Sequence, residues 1–357
     1  MKRIYYILLV LTFIYGCERH ETHDPEVNSP RSYIFFETKV VETKADPNRI
    51  VDTKLPNTSG TAFYIFGHRP DNTTHVFDMY SKGDNSPFDN TAVVYRSAIR
   101  ADFNYDELAL WSGGVHTFYA FYDGTKRKNK YSSFKYGAIK DISDAQAEKP
   151  YISYVQPTEL TQMTDVMTAT TTASISGSSV PPPVVLTFDH RLFALDVVLC
   201  NGQTTSDKPM TVKDAKVEFS DIPVSANIMF DNSHTASEEK CTISYDFTDE
   251  DFVIRHPDGY KPEKHNLNQE NADENSFLFL PCSSIQVKFE CTVVDSWEQE
   301  VTIVYPAEGY ATIEPEDGNG FLPGKKYELR IVKDDRDLEV VCEIAAWVEK
   351  TVDMEFN

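Results

Sequence analysis

The chain has 357 residues, of which 41% are hydrophobic, 25% are charged and 12% are aromatic. This is the balance of a folded globular protein, and so large a share of aromatic residues excludes a chain that is disordered throughout. At about 150 residues per domain, the length suggests two domains. The formal net charge of -22 excludes a nucleic-acid-binding protein, because phosphate groups require a basic surface.

The first sixteen residues have the pattern of a secretory signal peptide. Lys2 and Arg3 give a positive start, and a mostly apolar run follows as far as Tyr15. The run is shorter than the roughly 20 residues with which a helix crosses a bilayer. It ends at Gly16-Cys17, which resembles a bacterial lipobox, where the cysteine is lipidated and becomes the first mature residue. The alternative is a simple secretory signal that is cut elsewhere, with Cys17 incidental.

Residues 17–32 are polar and show no hydrophobic period, which predicts a flexible tether between the lipid and the fold. Residues 33–180 are predicted to form an N-terminal β-sandwich domain. Their aromatic and β-branched runs, separated by turn residues, lie at 33–43, 61–67, 75–80, 92–95, 105–111 and 115–122. Large aromatic residues occupy both faces of the last run, which predicts a central strand with Trp111 and Phe118 in the core. The run at 33–43 is too apolar for a free tether, so we expect it to be buried against this domain.

Residues 158–179 contain eleven Ser or Thr, and three prolines follow at 181–183. This composition predicts an exposed loop or linker, so we place the domain boundary between residues 180 and 181. A long loop inside one domain is the alternative. Strand patterns then recur to the end of the chain, which predicts a C-terminal β-sandwich domain over residues 181–357. No stretch of twelve residues has a strong helical period, and the predicted fold class is therefore all-β, with two tandem antiparallel sandwiches.

Five cysteines follow Cys17: Cys200, Cys241, Cys282, Cys291 and Cys342. Their odd number leaves at least one without a partner in the chain, and no Cys or His spacing is typical of a zinc site. Cys200 and Cys342 lie in apolar runs and are predicted to be small buried side chains. The spacing does not decide whether any of the five form a disulfide.

No residue pattern predicts a catalytic site, a cofactor site or a metal site. His190 follows Asp189 within a strand pattern, but no nucleophilic Ser or Cys neighbours it in the sequence, which favours a structural histidine. An acidic cluster comprises Asp246, Asp249, Glu250 and Asp251. The cluster lacks the glycine turn and the bidentate Glu of calcium-binding loops, so a solvated loop is the favoured interpretation.

Five short segments of the sequence, in order, resemble motifs of the fimbrillin family, whose members are lipoprotein subunits of type V bacterial pili. Residues 111–122 resemble the family's Trp, turn and aromatic strand, and residues 165–169 resemble its Asp-Leu-Met-x-Ala segment. Phe188, His190 and Leu192 match its Phe-x-His-x-Leu strand. Residues 321–329 contain its Pro-Gly-Lys turn, and Trp347 matches a terminal strand Trp.

The resemblance implies two transthyretin-like sandwiches and assembly by strand exchange, in which a strand of one subunit completes the open sheet of a neighbour. In this family a protease cuts after an Arg near the N-terminus and removes the first strand. Arg49 follows the strand pattern at 33–43 and is the candidate cleavage site, although an ordinary loop Arg is the alternative. Arg31 precedes that pattern, so a cut there would remove only the tether. The family's anchor subunits keep both the strand and the lipid.

The resulting hypothesis is a non-enzymatic pilus subunit, lipid-anchored at the cell outer membrane, surface-exposed and part of a fimbrium that supports adhesion. Its expected partners are other pilus subunits and, through lipid on Cys17, the membrane. We expect a minor, accessory or anchor subunit, because the sequence stops soon after Trp347 whereas a stalk subunit would carry a longer donor strand. The alternative is a glycan-binding surface lipoprotein of a nutrient-uptake system.

Overall fold

Strands make up nearly all of the regular structure in the computed structural model, and the all-β fold class is confirmed. The structure describes residues 34, 36–43, 50–53, 62–68, 74–80, 111, 114–123, 139–142, 150–175, 182–202, 210–247, 252–254, 263–269, 276–294, 299–333 and 338–345. The described helices are two short 3-10 turns at Leu160–Gln162 and Leu267–Gln269. The strand patterns at 92–95 and 105–110 lie outside the described residues.

The strands are numbered in chain order. The first nine are β1 (Phe36–Thr43), β2 (Ile50–Thr53), β3 (Ala62–His68), β4 (Thr74–Tyr80), β5 (Val115–Tyr122), β6 (Ile139–Ile142), β7 (Tyr151–Val155), β8 (Met167–Ser174) and β9 (Val184–His190). The next seven are β10 (Phe193–Asn201), β11 (Met210–Pro223), β12 (Ser225–Met229), β13 (His234–Ala236), β14 (Lys240–Asp246), β15 (Phe252–Ile254) and β16 (Glu263–Asn266). The last six are β17 (Phe277–Phe279), β18 (Ile285–Val294), β19 (Glu300–Tyr305), β20 (Ala311–Ile313), β21 (Lys326–Lys333) and β22 (Leu338–Ala345).

The first sandwich is a seven-stranded sheet that folds over on itself. Its strand order is β2-β1-β9-β8-β5-β3-β4, and β8 and β9 share only two residue pairs, at Met167 and Thr168. Phe36 of β1 and Phe118 of β5 would lie about 14 Å apart on a flat sheet, three strand spacings away. Their ring centroids are 5.3 Å apart. The layer of β1, β2 and β9 therefore packs on the layer of β3, β4, β5 and β8.

The second sandwich packs two larger sheets around a common core. One sheet has the order β16-β10-β21-β22, with β17 also paired to β10, and the other has the order β14-β11-β18-β19, with β15 and β20 added. Residues of β10 and β21 meet residues of β11 and β18 in one cluster of buried side chains. The strict alternation of buried and partly exposed residues along β18 and β21 produces the two inner faces.

A small four-stranded sheet joins the two halves of the chain. Its order is β13-β12-β7-β6, so two strands from before residue 156 pair with two strands from after residue 224. β9 also belongs to the first sandwich, although it follows the boundary predicted at 180/181. The division into domains stays a prediction, and on these pairings we propose to move the boundary to the turn between β9 and β10.

Two parallel pairs depart from the antiparallel pattern that was predicted. β1 pairs with β9 in parallel register, and β10 pairs with β21 in the same way. Both pairs join strands that are far apart in the sequence, as parallel pairing requires, because the chain needs a long connection to return in the same direction. A local strand pattern contains no signal for such a pairing.

The predicted loop at residues 158–179 is wrong over much of its length. β8 occupies residues 167–174 and pairs with β5 along the whole of that strand. Its first three residues, Met167, Thr168 and Ala169, are buried, whereas Thr170, Thr172 and Ser174 are exposed. Threonine is β-branched and favours strands, so a Thr-rich segment can form a strand with one solvent-exposed face.

Candidate functional site

The backbone of β1 is bonded on both sides. Residues 36–40 pair in parallel with β9, from Phe36 opposite Val184 to Val40 opposite Phe188. Residues 40–43 pair with β2 in the antiparallel direction. Among the described strands, β2 pairs only with β1, so a loss of β1 would leave β2 without its partner and β9 with an open edge.

The side chains of β1 fill part of the first core. Ile34, just before the strand, is 1% exposed, and Phe36 and Thr38 are 4% and 3% exposed. This alternation is that of a strand with one face on a core, and the expected burial of the segment is confirmed for these residues. Burial of the Ile34 and Phe36 side chains contributes about 1.5–3 kcal/mol each to stability.

β1 fills what would otherwise be an apolar groove in the first core. Val184, Leu186 and Phe188 of β9 alternate into the core, and the ring of Phe188 lies 5.5 Å from that of Phe63 in an edge-to-face contact. Phe118 meets the ring of Phe36 in a similar geometry, with an interplanar angle of 82°. Removal of β1 would expose these side chains together with a row of backbone donors and acceptors, which is the surface that an added strand recognises.

The two predicted modification sites, Cys17 and Arg49, lie outside the described residues. Arg49 falls in the connection between β1, which ends at Thr43, and β2, which begins at Ile50. A cut after Arg49 would therefore separate β1 from β2. Lipidation at Cys17 and cleavage at Arg49 stay predictions.

Trp111 and Phe118 differ in their burial. Phe118 is fully buried, as predicted, and lies on β5 between β3 and β8. Trp111 is only partly buried and packs against the edge of the same core, with its ring 6.2 Å from that of Phe118. Its indole Nε1 has no hydrogen-bond partner among the described residues. The prediction that Trp111 is a full core residue is therefore correct only in part.

A polar corner closes the first sandwich where β8 meets β9. His190 is 5% exposed, and its Nδ1 lies 2.5 Å from a carboxylate oxygen of Asp165. The next residue, Arg191, is also 5% exposed, and its Nε donates to Thr168 at 2.5 Å. These contacts fix the corner between the two layers, which supports the structural role expected for His190. Sequence reasoning missed Arg191, because its partners are 23 or more residues away.

The described cysteines behave as buried or half-buried thiols. Cys200 is fully buried, which confirms the prediction for that residue. Cys241, Cys282 and Cys291 carry free thiols. Burial raises the pKa of Cys282 to about 11 and that of Cys291 to about 12. Cys342 lies within β22.

Within the ranges given above, no group of three or more His, Cys, Asp or Glu side chains is placed to hold a metal ion. Of the acidic cluster considered above, Asp246 ends β14 and the other three residues lie outside the described part of the chain. Nor do the described residues include a helix with the length and apolar character that a bilayer crossing requires.

The sequence model of the fimbrillin-like family matches residues 48–347. The chain belongs to the fimbrillin-like family. The matched residues begin after β1, so the family assignment rests on the two sandwiches and not on the tether or the first strand. A search of curated protein sequences finds no significant match.

The solved structures that match this fimbrillin-like chain share little sequence with it. A fimbrial protein from Bacteroides vulgatus is 13% identical, with a TM-score of 0.52 over 88% of this chain and 99% of that one. The fimbrial anchor protein Mfa2 from Porphyromonas gingivalis is 9% identical, with a TM-score of 0.36 over 87% and 98%. A fimbrial assembly protein from Parabacteroides distasonis is 10% identical, with a TM-score of 0.38 over 87% and 98%. At these identities the first comparison supports the fold alone.

Proposed function

We propose that this fimbrillin-like chain is a lipid-anchored accessory or anchor subunit of a surface pilus that is assembled by β-strand exchange and supports adhesion. The pairing and burial of β1 are the observations that carry the proposal. The strand is bonded to β2 and β9, and its buried residues close an apolar groove in the first sandwich. A strand in this position can be kept or exchanged as a unit.

The order of Cys17, β1 and Arg49 along the chain connects lipid anchoring to the retention of β1. Cys17 precedes β1, and Arg49 follows it. A lipid on Cys17 is therefore joined to the fold through β1, and one cut after Arg49 would release the lipid and open the groove together. A subunit that stays at the outer membrane must keep β1, which is the state that we propose for this chain.

Strand exchange has a physical basis in the groove. An exposed edge of β9 and the side chains of Leu186 and Phe188 would be costly in water, because backbone groups and apolar surface would both lose their partners. A strand supplied by another chain satisfies both requirements at once. We propose that the neighbouring pilus subunits use this type of joint and that the present chain meets them with its own groove already closed.

The lipid anchor is tested by Cys17→Ala in the full-length protein. One acyl chain holds a protein on a membrane only marginally, so stable attachment requires several chains on the same cysteine. We expect Cys17→Ala to move the protein from the outer-membrane fraction to soluble fractions. Cys241→Ala is the matched control, because Cys241 is a half-buried thiol in the fold, and this variant should stay in the membrane fraction. Retention of the Cys17→Ala variant in the outer membrane would contradict the anchor.

A further inference from the structure

Arg191 carries a buried positive charge whose acceptors are uncharged. Its Nε donates to the hydroxyl of Thr168 at 2.5 Å, and its Nη2 donates to the side-chain carbonyl oxygen of Asn232. A guanidinium has five N–H donors, so three remain after these two bonds. Within the described part of the chain, no carboxylate lies within ion-pair distance of this group. Burial lowers the pKa of Arg191, which reflects the cost of keeping the charge out of water.

A cleft of about 130 Å³ opens beside this guanidinium, where the small four-stranded sheet meets the second sandwich. Its polar lining consists of Arg191, Asn232, Ser233 and His234. Its apolar lining consists of Ile228, Pro281 and Pro323. The cleft therefore combines a cation and uncharged polar groups with aliphatic surface.

The turn between β12 and β13 holds the polar lining in place. Asn232 adopts a left-handed backbone conformation, with φ of 76°, which Asn tolerates better than most residues. The backbone N–H of Ser233 donates to a carboxylate oxygen of Asp231 at 3.1 Å, which closes the turn. Arg191 is thus held from two directions, by Thr168 on β8 and by this turn, and the cleft is formed before any ligand arrives.

We propose that the cleft binds a small organic monocarboxylate, with its carboxylate on the guanidinium of Arg191 and its carbon chain against Ile228, Pro281 and Pro323. A planar carboxylate matches the fork of N–H donors on Arg. A water needs about 10–15 Å³ of such a cavity, so the cleft has room for several waters or for an acid of a few carbon atoms. Asp189 and Asp231 lie close enough to act on Arg191 electrostatically, and their charges oppose a dianion such as phosphate about twice as strongly as a monoanion.

His234 gives a reporter for binding in the unmodified protein. Burial and the charge of Arg191 lower the pKa of His234, while a hydrogen bond to the backbone of Pro281 opposes them. A carboxylate bound on Arg191 offsets its charge, so the pKa of His234 should rise on binding. The shift can be followed by NMR of the imidazole protons in the full chain, with propionate as the probe.

We expect saturable shifts of His234 and Ser233 with propionate, and no saturable shift with the neutral isostere propionamide or with phosphate. Equal binding of propionamide would overturn the role of the charge, and equal binding of phosphate would overturn the choice of a monocarboxylate. Absence of any saturable shift with propionate would overturn the site itself. The measurement uses the isolated protein, so its outcome is independent of membership in a pilus.

Two variants distinguish the contribution of the Arg191 guanidinium to binding from the effect of removing any positive charge. A hydrogen bond to a charged group is worth about 1.5–3 kcal/mol, so Arg191→Gln should weaken propionate binding by about tenfold or more. Arg330→Gln removes a cation from β21 that does not line the cleft, and should leave the affinity unchanged. If Arg191→Gln is too unstable to study, the wild-type titrations with the three probes decide the proposal. Unchanged affinity in a folded Arg191→Gln variant would overturn it.

Discussion

Phe118 connects the two layers of the first sandwich through a single side chain. It is fully buried on β5, and its ring contacts Phe36 on the opposite layer and Trp111 at the edge of the core. Edge-to-face aromatic contacts of this kind add to the free energy that burial of the ring already supplies. Truncation of Phe118 would remove contacts with β1 as well as with its own layer.

We expect Phe118→Ala to lower the free energy of unfolding by about 3–5 kcal/mol, because the change leaves a cavity in a packed core. Trp111→Ala should cost less, since Trp111 is only partly buried. Val115→Ala is the control on the same strand, because Val115 is 60% exposed, and it should change the free energy by about 0.5 kcal/mol or less. Chemical denaturation measures all three. Equal losses for Phe118→Ala and Val115→Ala would show that the core does not include β5.

Three of the described thiols, Cys241, Cys282 and Cys291, should differ in reactivity in the folded protein. The thiolate is the reactive form, and burial raises the pKa of all three thiols, that of Cys282 to about 11 and that of Cys291 to about 12. At neutral pH we expect iodoacetamide to label Cys241 first and Cys291 last, and at rising pH Cys282 should gain reactivity before Cys291. Peptide mass spectrometry gives the order in which the three cysteines are labelled. Labelling in denaturant is the control, because all three thiols are then accessible. Labelling of Cys291 as fast as Cys241 in the native protein would contradict the described core.

At the level of strands, the sequence predicts those elements that have a run of aromatic and β-branched residues bounded by turn residues. β5 begins and ends where the run at 115–122 predicts. The composition around β8 predicts a loop, because Thr is common in polar loops, although its branched side chain also favours a pleated surface. The short hairpin of β12 and β13 has too few apolar residues for a strand pattern to show.

A disulfide between β1 and β9 tests whether β1 stays in place. Glu37 and Val185 are in register, and both side chains are at least partly exposed. Neighbouring strands are about 4.8 Å apart, within the range of Cα separations that a disulfide spans. We expect oxidised Glu37→Cys/Val185→Cys protein to reach the outer membrane and associate with pilus subunits as the wild type does. The two single variants are the controls. Loss of association on oxidation, with recovery in reductant, would show that β1 must leave.

Across the whole molecule, the two halves of the chain are interlocked rather than joined at one linker. β7 pairs with β12, and Tyr119 of the first sandwich contacts Phe230 beside that hairpin, with ring centroids 5.3 Å apart. The number of sandwiches follows from the length and the strand spacing. The shared sheet and the cleft at Arg191 depend on pairings between distant residues, for which a single sequence contains no local signal.

The most direct measurement identifies the partners of the protein and the residue at which its mature chain begins, in the same sample. Tagged full-length protein would be cross-linked in intact cells and purified from the outer membrane, and mass spectrometry would identify the cross-linked partners and the first peptide. We expect cross-links to pilus subunits, together with a lipidated Cys17 peptide and intact peptides of β1. Protein without pilus partners that binds glycans selectively would contradict the proposed function, and a chain that begins at Ile50 within the assemblies would contradict retention of β1.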